Sequence, residues 1–131
     1  MIRFWLAALV VSLACWFLLG WLVSRALAAP QGCNPPPTAA KLAELPSEYP
    51  RFHRALRSAR GFGVSWRDAA VVAWREATWH AWARNGQYLG TFQLGALERA
   101  AHGHGATLEE QVYAAASLWH ARGWSAWECR P

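Results

Sequence analysis

Between Ser65 and Trp79 apolar and polar residues recur with the period of a helix. At 100° per residue Ser65, Ala69, Val72, Ala73, Glu76 and Trp79 share one sector, and Arg67, Asp68, Arg75 and Thr78 the opposite one. The pattern predicts a helix that buries the first sector, opened by Ser65 as N-cap with Asp68 at the third position of a capping box. One member of the buried sector, Glu76, is a carboxylate. A second periodic stretch, Tyr49 to Gly61, sets Arg51, Arg54, Arg57 and Arg60 at steps of three around Phe52, Ala55, Leu56 and Ala59. It reads as an amphipathic helix stopped by Gly61 and Gly63, its arginine stripe a solvated face. Thr107 with Glu110 is a capping box that opens a helix with Val112, Ala115, Ala116 and Trp119 at core spacing, and Gly123 suits its C-terminal cap. A short helix is expected over Gly95 to Ala101, ended by Gly103 and Gly105. Between these helices lies a polar loop, His80 to Gly90. Asn85 and Gly86 make a turn there, Gly90 permits close backbone approach, and Thr91 to Gln93 suit a short extended piece. No stretch is rich in strand pattern, so the chain is expected to be mainly α with a minimal β element.

The N-terminal pattern is different. Phe4 to Val23 carries no charge and is long enough, at about twenty residues, to span a bilayer as a helix. Ala26, Leu27 and Ala28 form a small-x-small cleavage signal, so residues 1–28 read either as a signal peptide cut after Ala28 or as an uncleaved membrane anchor through residues 4–23. Both imply export, to an extracytoplasmic place in the cell envelope or beyond. Cys15, inside the run, reads as apolar filler. Residues 29–50 hold six of the seven prolines and read as an extended linker with a short helical turn over 41–45, leaving residues 51–131 as one small domain. In an oxidising compartment Cys33 and Cys129 invite one disulfide tying linker to tail; free thiols or an intermolecular bond are the other possibilities.

Composition narrows the function classes. The formal charge of +5 falls when Arg3 and Arg25 leave with the leader, since 11 basic residues then face 8 acidic ones. That excess favours an anionic polymer such as a cell wall, but is too small and scattered for a nucleic-acid footprint. Ten tryptophans in 131 residues can fill a small core or line a sugar groove. His80, His102, His104 and His120 fit no defined zinc spacing, and no phosphate loop, nucleophile elbow or dinucleotide fingerprint occurs. Neither metal nor cofactor is expected.

Glu76 on a buried face loses hydration, so its pKa should rise above the usual value of about 4.3 and let it act as a general acid near neutral pH. The bland alternative makes it the ion-pair partner of an arginine such as Arg84 or Arg99. The context adds more. A helix ending in Glu76 and a small residue, Ala77, is followed by tryptophans, by an Asn85, Gly86 and Tyr88 loop, and by Gly90-Thr91-Phe92-Gln93. This arrangement resembles the lysozyme-like superfamily, closest to soluble lytic transglycosylase and resuscitation-promoting-factor domains. The resemblance covers roughly Trp66 to Cys129, because Gly123, Trp124, Trp127 and Cys129 also match the resuscitation-factor tail. Ala77 stands where the family has serine, and Thr91 where it has leucine.

The resemblance implies an α+β lysozyme-like fold and cleavage of the MurNAc-GlcNAc bond of peptidoglycan. Glu76 would be the acid/base. Gln93, Tyr88 and Asn85 would hydrogen-bond the saccharide, and Trp79 or Trp82 would stack on it. Glycoside hydrolysis ordinarily uses two carboxylates. None lies between Ala77 and Leu97, Asp68 is about 12 Å back along the helix, and Glu98, Glu109, Glu110 and Glu128 sit at positions that suggest surface. A single acid/base suits a lytic transglycosylase, in which the muramyl 6-hydroxyl replaces water. The rival reading is a non-catalytic peptidoglycan-binding or envelope-assembly protein on the same scaffold.

Overall fold

The computed structural model describes residues 32–59 and 65–131. The apolar run Phe4 to Val23, the cleavage signal, Cys15, Arg60 and the two glycine stops at 61 and 63 lie outside the described residues. Among the described residues no helix is long and apolar enough to cross a membrane.

The chain is mainly helical. In order come α1 (Ala39–Glu48), α2 (Pro50–Ser58), α3 (Trp66–Ala77), β1 (Arg84–Asn85), β2 (Tyr88–Leu89), α4 (Ala96–His102), α5 (Leu108–Arg122) and a 3-10 turn at Gly123–Ala126. The helix α1 occupies residues 39–48 of the expected linker. Thr38 accepts the Lys41 N–H at 3.1 Å, and the Lys41 ammonium then reaches Glu44 at 3.0 Å and Glu48 at 2.8 Å. Leu45 is fully buried in the core, which fixes the helix to the rest. Pro46 falls in the last turn, where its missing N–H removes only one ladder bond. Within the described residues helical backbone therefore begins at Ala39, well before residue 51.

The two capped helices form as the pattern predicts. Ser65 accepts the Asp68 N–H at 3.4 Å, although the reciprocal half of that box is not made, whereas Thr107 and Glu110 complete theirs. The helix α2 lies against α1, α3 and α5, and α5 also packs on α4 and the 3-10 turn. Their shared core is Leu45, Phe52, Leu56, Val72, Val112 and Leu118, closed by Trp79, Phe92 and Trp127 from the connecting segments. Each such side chain contributes roughly 1.5–3 kcal/mol by leaving water.

The exit from α3 is strained. Thr78 and Trp79 both take left-handed backbone, at φ 49° and 61°, a conformation rare for bulky residues. The reversal folds Trp79 back beneath its own helix. Its indole N–H donates to the Ala70 carbonyl at 2.8 Å, and its ring meets Tyr49, Phe52 and Trp74 edge-on.

Candidate active site

Glu76 occupies the last turn of α3 and is half-buried. Its Oε1 accepts one hydrogen bond, from the Cys129 backbone N–H at 3.2 Å. Its Oε2 has no hydrogen-bond partner among the described residues, and the residue is only partly buried. Burial pushes the carboxyl from 4.5 up to about 7; the Cys129 N–H works against that rise, the Glu128 charge adds to it, and Arg75 opposes it. The elevation inferred from the helix pattern is thus present, with desolvation as its main cause. No ion pair to Arg84 or Arg99 forms among the described residues. Arg99 turns instead to the carbonyls of Gln87 and Leu94.

Two chain segments close over this end of α3. Cys33 and Cys129 are bonded, their Cα atoms 5.5 Å apart, so the expected disulfide is intramolecular. On the Cys33 side, Asn34 donates its backbone N–H to the Arg75 carbonyl at 2.9 Å and its side-chain amide to the same oxygen at 3.1 Å; Trp74 donates its indole N–H to Pro35 at 3.1 Å. On the other side, the Arg75 guanidinium reaches the carbonyls of both Asn34 and Arg130. Sequence pattern placed Arg75 on the outer face of the helix; what it could not supply was the pair of carbonyls waiting there.

The loop after α3 is held from within. Arg84 pairs with Leu89 and Asn85 with Tyr88, leaving Gly86-Gln87 as the two-residue turn of a hairpin, with Gly86 at φ 58°. Thr91 to Gln93 are a turn, not the expected extended piece. Gln93, at φ 47°, donates its backbone N–H to the Gly90 carbonyl. The residue that fastens all this is Gln111 of α5, 2% exposed, which accepts the Thr91 N–H at 2.7 Å and donates to Ala81 and Gly105 at 2.9 Å each. In the sequence Gln111 stands out only as part of the resemblance, with Glu109 and Glu110, and not for this role, although Gln111, Ala115 and Leu118 share one helical face. A polar residue on a core face was the signal.

Gly90 sits against that glutamine. At φ 81°, a Cβ there would lie 2.5 Å from the Gln111 Oε1, which three hydrogen bonds keep from moving. The close approach that Gly90 allows is therefore to Gln111. Gly90→Ala is expected to cost about 2–4 kcal/mol, from the left-handed backbone and the overpacking together; urea denaturation measures it. Thr91 makes the opposite case. Its side-chain hydroxyl is fully buried without a partner among the described residues. Thr91→Val keeps the shape and removes the stranded group, so a gain of about 1 kcal/mol is expected. A loss of stability on thermal unfolding would show that the hydroxyl is satisfied by an internal water.

The expected saccharide contacts separate into two sets. Trp82, at 79% exposure, and Tyr88, at 44%, present aromatic surface on the loop and hairpin, with Asn85 half-buried beside the turn. Trp79 is 2% exposed and its ring is consumed by the core, so it offers no face to a sugar. Gln93 spends its side-chain amide on the carbonyls of Gly90 and Ala83, at 2.7 and 3.2 Å. It shapes the loop. Among the described residues no hydrogen bond joins Glu76 to Asn85, Tyr88 or Gln93. What connects the two regions is the tail: Trp127 donates its indole N–H to the Phe92 carbonyl at 2.9 Å, two residues before the Cys129 amide meets Glu76.

Glu128 had read as a surface residue of the tail, and it is exposed; the disulfide nevertheless brings its charge within reach of Glu76. The histidines are scattered: His102 bonds Ser117 at 2.9 Å, His80 bonds the Thr78 carbonyl at 3.1 Å, and no group of three metal-ligating side chains occurs among the described residues. No family model, curated protein or solved structure matches this chain.

Proposed function

We propose that this chain is a peptidoglycan-cleaving glycosidase on a lysozyme-like scaffold, a lytic transglycosylase with Glu76 as its single acid/base. The observation that carries the reading is one carboxyl at the end of a core helix, raised by burial to about 7 and, among the described residues, bonded through one of its oxygens. Such a group is protonated often enough near neutral pH to donate, and ionised readily enough afterwards to accept. In the reaction Glu76 protonates the glycosidic oxygen between MurNAc and GlcNAc while the substrate's N-acetyl group stabilises the anomeric centre. The resulting carboxylate then takes the proton of the muramyl 6-hydroxyl as the 1,6-anhydro ring closes. Trp82 and Tyr88 supply aromatic surface and Asn85 a polar contact for the glycan.

The chain would act outside the cytoplasm, on the cell wall, without metal or cofactor, and through residues 4–23 on a membrane if the leader is retained. Glu128 favours one variation. A second carboxylate near the first permits activation of water and hence hydrolysis.

Mass spectrometry of the soluble products from purified sacculi, incubated with the oxidised full chain, tests the proposal. Anhydro-muropeptides are the expected result. Reducing-end products would replace the transglycosylase by a hydrolase using Glu128. Co-sedimentation with the wall and no soluble product would leave a wall-binding protein.

A further inference from the structure

The segment that meets Glu76 is anchored at several points. The disulfide fixes Cys129 covalently, Trp127 is 5% exposed and bonded to Phe92, and the Arg75 guanidinium bridges Asn34 on one segment to Arg130 on the other. All of these anchors flank a single backbone amide, and that amide points at a carboxyl oxygen.

We propose that this clamp positions Glu76: the Cys33–Cys129 bond and Arg75 hold the Cys129 N–H on Oε1, so that the proton of the acid resides on Oε2, the oxygen left open to a ligand. The inference rests on the functional reading above and adds to it the orientation of the acid.

The chemistry follows from hydrogen-bond direction. A backbone N–H only donates, and it binds best to an oxygen that carries no proton. With Oε1 so occupied, the neutral carboxyl bears its hydrogen on Oε2, and no rotation of the group is needed before transfer. After transfer the same N–H stabilises the carboxylate, because bonds to a charged acceptor are stronger than to a neutral one. An arm that is fixed beforehand does this without reorganising during the reaction.

Among the described residues the charged groups facing Glu76 are Glu128 on the arm and Arg75 on its own helix. Neither is removed when the amide between Glu128 and Cys129 is replaced by an ester, which exchanges the N–H for an oxygen and weakens only the Glu128 carbonyl that accepts the Arg130 N–H at 3.2 Å. This replacement, made by semisynthesis of the C-terminal segment in the otherwise intact oxidised chain, is the direct test. With carbon-13 in the Glu76 carboxyl, the NMR titration midpoint should move upward by about one unit or more in the ester, since a donor to the charged form has been lost. An unchanged midpoint overturns the proposal.

The anchoring is read separately, by hydrogen exchange of the Cys129 amide. Arg75→Lys retains the charge and the disulfide but loses the planar fork that spans two carbonyls. Exchange should accelerate at least tenfold in Arg75→Lys and in Cys33→Ser, with helical circular dichroism confirming that each remains folded. Parent-like exchange in both shows that the clamp does not hold the amide and overturns the proposal. Both readouts report on the carboxyl and its donor without turnover, so failure of the glycosidase reading and failure of this inference are distinguishable.

Discussion

Glu76→Gln is expected to abolish release of soluble muropeptides while making the chain more stable at pH 8. General acid catalysis contributes about 10²–10⁴-fold, and glutamine has no proton to give, so the rate should fall by at least that range. Stability changes in the other direction because the carboxyl is buried against its preference. With its pKa raised in the folded state from 4.5 to about 7, the folded chain binds the proton more tightly than the unfolded one. The sign is then fixed. The stabilisation that protonation confers is complete below about 4.5, declines as pH rises through the window, and is gone once pH has passed about 7. At pH 8 the parent therefore holds an ionised, partly desolvated carboxylate that costs roughly 1–2 kcal/mol after allowance for the water that reaches it. Glutamine removes that cost and still accepts the Cys129 N–H.

Urea denaturation of both proteins at pH 4 and pH 8 checks the argument. The difference between them should open between the two pH values. A parallel loss of activity in the parent should appear as pH rises through about 7, because the protonated acid is the active form. Equal stability at both pH values would mean that Glu76 is not held under strain, and would remove the physical basis for its assignment as the acid.

The second large effect belongs to the disulfide. Cys33 and Cys129 are 96 residues apart in sequence, and closing a loop of that size removes enough unfolded-state entropy to stabilise by about 4–5 kcal/mol. Folded domains of this size are stable by about 5–15 kcal/mol in all. Cys33→Ser with Cys129→Ser should therefore lower the thermal midpoint by at least about 15 °C. Calorimetry of the parent and the double variant measures this directly. A shift of only a few degrees would show that α1 and the buried Trp127 hold the tail unaided.

Much of the helical plan was legible from the chain. Ser65, Thr107 and Glu110 mark helix starts through short-range hydrogen bonds that need no tertiary context, and the spacing of Val72, Ala73 and Glu76 fixes which side of α3 is buried. The pairing of Cys33 with Cys129 was one of the outcomes the sequence left open, beside free thiols and an intermolecular bond. Proline obscured α1: six prolines between residues 29 and 50 suggested extended backbone, yet only Pro46 lies inside the helix, at a turn that tolerates it. Periodicity put Trp79 on the buried side, where it lies, but not the course of its ring, since the helix stops at Ala77 and two left-handed residues decide where the indole goes. The Cys129 amide was invisible for a deeper reason. A backbone donor has no letter in the sequence, and its role depends on a contact 53 residues away.

The covalent bond has one more consequence, which is mechanical. It joins the first described segment to the last and leaves only Gly32 before it and Arg130 and Pro131 after it within the described body. Tension applied between those two ends is carried across the sulfur atoms and bypasses the helices.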